Sequence, residues 1–347
     1  MTTKSTETTL EWFGATTFRL RTKGVTIFLD TWLDRPSVLP VYLSVEDVTE
    51  ADYIFISHAH FDHLPGADRI AIKTGATVIA NCEAISCLRT AGVPEAQLMA
   101  VAGGERIPLF TKVVREAAAA GTAEIEPGPP AAPPLPHHSL AVLSVHVWPS
   151  LHCLMPGNSH ADIPDVCDTA KRYTGSASPY NCTLDISRGM KYGLLNVGNV
   201  VPREAMDAGL RSFVDYIGDQ RNVFSSRDGG QLMFNILIDD KAILWNAHLG
   251  AYKDVMMGLE PKPDLAILGI AGRGNLNGRP FDGSASEFAV DEIRWLQEPK
   301  TVIWCLQDES PIKPYRVDTK PVTEKVQRET GSQVFSMRHA VVIRLNL

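Results

Sequence analysis

The segment SHAHFDHLPG, residues 57–66, places His58, His60, Asp62 and His63 within six positions. Directly before it runs ADYIFI, a short apolar stretch that reads as a buried strand leading into the histidine loop. Along an extended segment successive side chains alternate, so His58 and His60 of the H-x-H pair point the same way. Asp62 and His63 follow in a tight turn and can face the same small volume from its other side. Imidazole suits zinc, iron and related ions, and a carboxylate adds a harder oxygen ligand. Coincidence is the competing reading, but the chain has only ten histidines in 347 residues. A polar loop with chance histidines would rarely assemble this pattern directly after a buried strand.

The rest of the chain alternates strand and helix patterns. TLEWFGATTFRL reads as a strand pair, GVTIFLD as a third strand ending at Asp30, and ATVIA as another. CEAISCLRTAG reads as a helix closed by Gly92, and LMAVAGGERIPL as two short strands around a Gly-Gly turn. Residues 112–140, rich in Ala, Pro and Gly, are expected to form a flexible surface excursion. Strand character resumes at LAVLSVHVWPSLH. Residues 153–229 are loop-rich, with one helix expected over 202–217, where Met206, Leu210 and Phe213 recur at helical spacing. That stretch is too long for an ordinary connection, and both its ends lie beside candidate ligands, so it is expected to be a lid. GQLMFNILIDDKAILWN reads as a hairpin turning at Asp239-Asp240, followed by strand PDLAILGI, helix SEFAVDEIRWLQ, strand KTVIWCL, a helix near 320–330 and a last strand in HAVVIRLNL. Two similar halves, each a sheet covered by helices, account for this order. The predicted class is α/β, a four-layer αβ/βα sandwich forming a single domain over 1–347 with a long insertion.

Composition narrows the partners. Net charge is -7 and no Lys/Arg cluster occurs, so a nucleic-acid partner and an anionic membrane surface are not expected. The N-terminal MTTKSTETTLEW lacks the apolar core of a signal peptide, and no apolar run of about 18 residues suggests a spanning helix. The six cysteines (Cys82, Cys87, Cys153, Cys167, Cys182, Cys305) have no zinc-ribbon or disulfide-framework spacing. Reduced thiols and a cytoplasmic location are the expectation.

The H-x-H-x-D-H loop after a strand, with an earlier strand ending in Asp30, resembles the metallo-β-lactamase superfamily. FGATTFRLRTKGVTIFLDTWLD and ISHAHFDHLPG are most similar to its lactonase and phospholipase D branch, which includes ascorbate-6-phosphate lactonase and the N-acyl phosphatidylethanolamine phospholipase D. The motifs are sharp only in the first third of the chain. The resemblance implies the metallo-β-lactamase fold with a metal site at one edge. It implies one ion held by His58, His60 and a later histidine, here His152 in WPSLHC in preference to His146 inside the preceding strand. His137 and His138, in the Pro-rich excursion, are read as solvated. The family's second ion uses Asp62 and His63, a bridging Asp and a late His, and this chain departs at both later positions. ILWNAHLG puts His248 (or Ala247) where the bridging carboxylate belongs, and TVIWCLQDES offers only Asp308 as a substitute for the late histidine. The expected cofactor is zinc, one ion in preference to two, with iron and manganese left open.

The expected partner is a small-molecule substrate, and the expected activity is a metallo-hydrolase. A metal-bound hydroxide attacks a lactone or ester carbonyl, with Asp62 and His248 as the catalytic candidates for proton transfer. The alternatives are a phosphodiesterase, a single-metal lyase, isomerase or cyclase using the ion as Lewis acid, and a non-catalytic binding protein that keeps its metal. Arg273 in AGRGNLNG is a candidate for an anionic group, the RDGG loop reads as a plain turn, and Tyr180, Tyr192 and Tyr252 are candidates to polarise a carbonyl. Substrate and oligomeric state stay open.

Overall fold

The computed structural model describes residues 7–156, 162–175 and 186–347. Two seven-stranded sheets face each other. In the first, Ile343–Arg344, Thr9–Trp12, Phe18–Thr22 and Val25–Leu29 pair antiparallel. Tyr53–Phe55, Thr77–Ala80 and Leu98–Ala100 then continue in parallel. The second repeats the scheme. Arg106–Leu109, Leu143–Pro149, Leu232–Ile238 and Lys241–Asn246 are antiparallel, and Leu265–Gly269, Thr301–Cys305 and Gln333–Val334 are parallel additions.

The central parallel strands Tyr53–Phe55 and Leu265–Gly269 are apolar and buried along their whole length, as strands covered on both faces must be. Their inward residues form one core between the sheets, where Phe55 stacks on Phe234 at 5.0 Å and Phe234 on Trp245 at 5.7 Å. Two further clusters lie outside. One joins the first sheet to helices Ala67–Thr74 and Cys82–Thr90. The other joins the second sheet to Ala285–Trp295 and Lys320–Glu329. The order of layers is helix, sheet, sheet, helix. Two of these helix starts have a side-chain cap: Asn81 accepts the Ala84 N–H, and Ser284 with Glu287 closes a reciprocal capping box.

Two expectations are corrected. Residues 112–140 do not begin as a flexible excursion, because Lys112–Ala119 is a helix, started by the Thr111 hydroxyl accepting the Val114 N–H. Alanine is the best helix former, and the run EAAAA outweighs the Pro-Gly composition that follows it. The remainder is pinned by a bridge between Ile125 and Pro136. The single helix expected over 202–217 is broken into a turn, Arg203–Ala205, and a helix, Ala208–Gly218. Asp207 accepts the Leu210 N–H at 2.7 Å and restarts the helix there. Met206 and Phe213 are buried, whereas Leu210 is only partly so.

Candidate metal centre

The histidine loop leaves the strand Tyr53–Phe55 at a buried polar junction. Asp30, at the end of the neighbouring strand, has a left-handed backbone (φ 49°) and no exposed surface. Its Oδ1 accepts the Ser57 N–H at 2.8 Å, and its Oδ2 accepts the hydroxyls of Thr16 (2.7 Å) and Ser57 (2.9 Å). The same Oδ2 lies 2.6 Å from His63 Nδ1. Backbone bonds from Thr31 N to His63 O and from Ala59 N to Asp228 O fasten the two sides of the loop. The RDGG turn is therefore part of the loop's support. Its Asp228 carbonyl also accepts the Asn81 side-chain amide.

Four further imidazoles meet around His58. Its ring centroid is 4.6 Å from His60, 4.0 Å from His63, 5.1 Å from His152 and 4.9 Å from His248. His152 and His248 arrive from the opposite sheet and stack at 3.9 Å. Donor atoms of His58, His152 and His248 all lie within 4.8 Å of one another. His58 Nε2 is 3.0 Å from His60 Nδ1, and His248 Nε2 is 3.3 Å from His63 Nε2. Asp62 Oδ1 lies 3.5 Å from that same His63 nitrogen.

The electrostatics favour a cation. Burial, and then mutual repulsion with neighbouring histidines, holds His58, His60 and His248 well below the usual imidazole range. Burial also lowers His152. These rings are neutral at pH 7 and offer lone pairs. Burial alone would raise Asp62, but the adjoining His63 overrides it and keeps the carboxylate ionised. Burial alone would lower His63, yet Asp62 and Asp30 push it up to about 10.

The residues present fit a metal ion. His60 Nε2 is buried with no hydrogen-bond partner among the described residues, a costly state for a polar atom unless something binds it. At zinc–nitrogen distances of about 2.0–2.1 Å, two ligands of one tetrahedral ion stand about 3.3 Å apart. The donor atoms of His58, His152 and His248, all within 4.8 Å of one another, converge on one volume of that scale.

The structure sorts the sequence candidates. His152 joins the cluster. His146 does not: its ring contacts Arg106 Nη1 at 2.6 Å and the Glu260 carbonyl at 3.2 Å. Ala247 is buried in the inter-sheet core, and the alternation of side chains turns His248 toward the cluster. Asp308 is corrected. Its Oδ1 accepts the Ala15 N–H at 2.7 Å and its Oδ2 binds Arg35 at 2.9 Å, so both oxygens are committed to holding the Gly14–Ala15 turn. Arg273 is engaged by the Phe281 carbonyl and Asp282. Tyr192 and Tyr252 are exposed, and Tyr180 lies outside the described residues, as does Cys182. His137 and His138 form a surface group with Glu126.

Sequence reasoning missed the supporting hydroxyls. Thr16, Ser57 and Cys153 touch the ligand rings. A hydroxyl carries no spacing signal, so only Asp30, ending a strand, and Cys153, adjoining the candidate ligand His152 and read as a supporting or packing residue rather than a nucleophile, were visible. A second buried layer was also missed. Asn246 Oδ1 accepts the Ser150 hydroxyl at 2.8 Å, and its amide donates to Glu292 Oε1 at 2.9 Å. This ties together the strand ends that carry His152 and His248. Glu292 has no exposed surface and, among the described residues, no partner for Oε2. Burial raises its carboxyl to about 8, against the opposing pull of the Asn246 bond.

The insertion packs against the same loop. Tyr216 donates its hydroxyl to the Phe61 carbonyl at 3.1 Å. Phe213 meets the Phe61 ring edge-on at 5.1 Å, and Phe224 meets it at 6.5 Å.

Residues 26–147 match the model of the β-lactamase superfamily domain. A UPF0173 metal-dependent hydrolase of Anaeromyxobacter sp. (strain K) is 38% identical over 92 residues, which is 26% of this chain and 33% of that protein. One from Pyrobaculum islandicum is 33% identical over 100 residues, 29% of this chain and 44% of that protein. The chain thus spans less than half the length of these curated relatives. Among solved structures, Igni18, a metallo hydrolase from Ignicoccus hospitalis, aligns with TM-score 0.57 and 17% identity over 99% of this chain and 100% of its own. CmlA, a diiron β-hydroxylase from Streptomyces venezuelae, aligns with TM-score 0.52 and 14% identity over 99% of this chain and 55% of its own. Both likenesses are of fold. Among the described residues no helix is long and apolar enough to cross a membrane.

Proposed function

We propose that this chain, which has the metallo-β-lactamase fold, is a metal-dependent hydrolase acting on a lactone or ester of a small organic molecule. The observation that carries the reading is the buried convergence of neutral imidazoles beside an ionised Asp62. His58, His60 and His152 would hold one ion, with His248 beside it as a further ligand or an acid/base group, and Asp62 and His63 on the flank of the same cavity. Zinc suits a donor set this rich in imidazole. When bound, the ion supplies Lewis acidity, polarising a carbonyl and lowering the pKa of water.

The protein's own groups do the rest. Asp62 is a general base in waiting, a carboxylate at the edge of the histidine cluster that can take a proton from attacking water. Asp30 orients His63 through Nδ1 and leaves Nε2 facing Asp62 and His248. The described residues of the segment 153–229 act as a lid. The support is the packing of Phe213, Tyr216 and Phe224 on Phe61 inside the histidine loop, which shields the site from water. The lactonase branch is favoured over phosphodiester hydrolysis because a histidine, not a carboxylate, occupies position 248. An imidazole with one nitrogen in the site cannot bridge two ions. That same observation favours a second reading, in which one ion serves a lyase or isomerase as Lewis acid alone.

Metal analysis by anomalous scattering, with a panel of lactones, esters and phosphodiesters, tests the proposal. The native protein is expected to hold one ion and to open lactones or esters, and His60→Ala is expected to lose both the ion and turnover. Full metal occupancy in His60→Ala would refute the ligand assignment. Metal-loaded native protein that is inert on the whole panel would refute hydrolysis.

A further inference from the structure

His152 and His248, the two histidines supplied by the second sheet, present their Nδ1 atoms to a single residue. His152 Nδ1 lies 2.7 Å from the carbonyl oxygen of Cys153, and His248 Nδ1 lies 3.2 Å from the Cys153 sulfur. A carbonyl only accepts, so His152 carries its proton on Nδ1 and leaves Nε2 bare. A thiol sulfur can give or take a weak hydrogen bond, so the second contact admits either tautomer of His248.

We propose that the His248 Nδ1–H donates to the Cys153 sulfur, making Cys153 the positioning residue that sets the tautomer and orientation of His248 while its carbonyl does the same for His152. This rests on reading the histidine cluster as a metal centre. Metal-binding histidines nearly always donate their second ring N–H to a carboxylate, a carbonyl or water. Here His63 uses Asp30 and His152 uses the Cys153 carbonyl. Among the described residues, the Cys153 sulfur is the group recorded against His248 Nδ1. The orientation is consistent across the ring, because it turns a bare Nε2 toward the cluster, 3.3 Å from His63 Nε2.

The surroundings hold Cys153 in that place. Leu154 and Arg273 exchange both backbone hydrogen bonds at 2.9 Å, and the Asn275 amide donates to the His152 carbonyl at 2.8 Å. Gly272, at φ +89°, forms the wall of the slot: a Cβ there would stand 2.5 Å from the Leu154 oxygen and 3.0 Å from the Cys153 sulfur. The stacked rings of His152 and His248, 29° from parallel, resist the rotation of either alone.

The test uses full-length metal-free protein carrying 15N-labelled histidine, in which two-bond nitrogen–proton spectra report each ring's tautomer. In the native protein and in Cys153→Ser, whose hydroxyl still accepts, His248 should be the Nδ1–H form. In Cys153→Ala it should shift toward Nε2–H, while His152, bonded to a backbone carbonyl, should stay Nδ1–H in all three. Zinc affinity, read by competition with a chromophoric chelator, should fall about 10–100-fold in Cys153→Ala and less in Cys153→Ser. Native His248 found as Nε2–H, or Cys153→Ala with unchanged tautomer and affinity, would overturn the role. A thiolate-to-metal charge-transfer band in the cobalt-loaded native protein would overturn it too, by making Cys153 a ligand. Native protein that binds no metal would refute the metal centre, while the metal-free spectra would still decide what Cys153 does.

Discussion

Replacing Glu292 with Gln should make the protein more stable at alkaline pH and flatten the pH dependence of its stability. Glu292 sits under the strand ends that carry His152 and His248; among the described residues it is bonded only to the Asn246 amide, with Oε2 unpartnered. Burial lifts its carboxyl from an ordinary 4.5 to about 8 in the folded protein. Between those values the folded state keeps a proton that the unfolded chain has lost. Stability therefore falls as pH rises through that window and levels off above it. At about 1.4 kcal/mol for each pH unit, the loss totals about 5 kcal/mol by pH 8, of which about 3 kcal/mol is incurred by pH 7. Glutamine is neutral throughout and its carbonyl can accept the same Asn246 N–H. Its amide nitrogen meets the unpartnered surroundings that the acid's second oxygen already meets. Urea unfolding of both proteins at several pH values between 4.5 and 8.5 gives the difference. Near pH 4.5 the two should agree within about 1 kcal/mol, the size of one hydrogen bond, and the variant should pull ahead by several by pH 8. Parallel curves, or a variant that is less stable than native at pH 8, would refute the reasoning.

His248→Asp should distinguish the two readings of position 248: a second bound ion together with greater hydrolysis would mean that the histidine only weakens a dinuclear site. A steep fall in native turnover at constant or increased metal content would give His248 its own chemical role, and no change in either would make it a bystander. Phe213→Ala removes the ring that packs edge-on against Phe61, and a fully buried Phe costs about 3–5 kcal/mol on truncation. The lid should then open to limited proteolysis and KM should rise; unchanged cleavage and KM would show that this segment does not cover the site.

The histidine loop was legible because both of its signals are local. A buried strand and an alternating ligand pattern lie within about a dozen residues, and strand geometry alone sends His58 and His60 the same way. The layered architecture was legible for a similar reason: fully apolar runs mark strands covered on both faces, and the two halves repeat one order. The lid helix was visible by period, but the break at Asp207 was not, since a side-chain cap competes with helix continuation only in the folded geometry.

What lay beyond the sequence is everything that depends on residues meeting across the two sheets. His152 could be preferred over His146, but only the packing shows His146 turned to Arg106 and His152 stacked on His248. Asp308 has the right chemistry for a ligand, and the fold uses both its oxygens to hold Ala15 and Arg35. Cys153 and Glu292 carry no motif at all; one sets rings and the other underlies strand ends because chain segments 95 and 46 residues apart are brought into contact. Spacing along the chain determined which side chains could act together within one turn or strand. Desolvation and contact between distant segments decided which of them face the same buried volume, and in which protonation state.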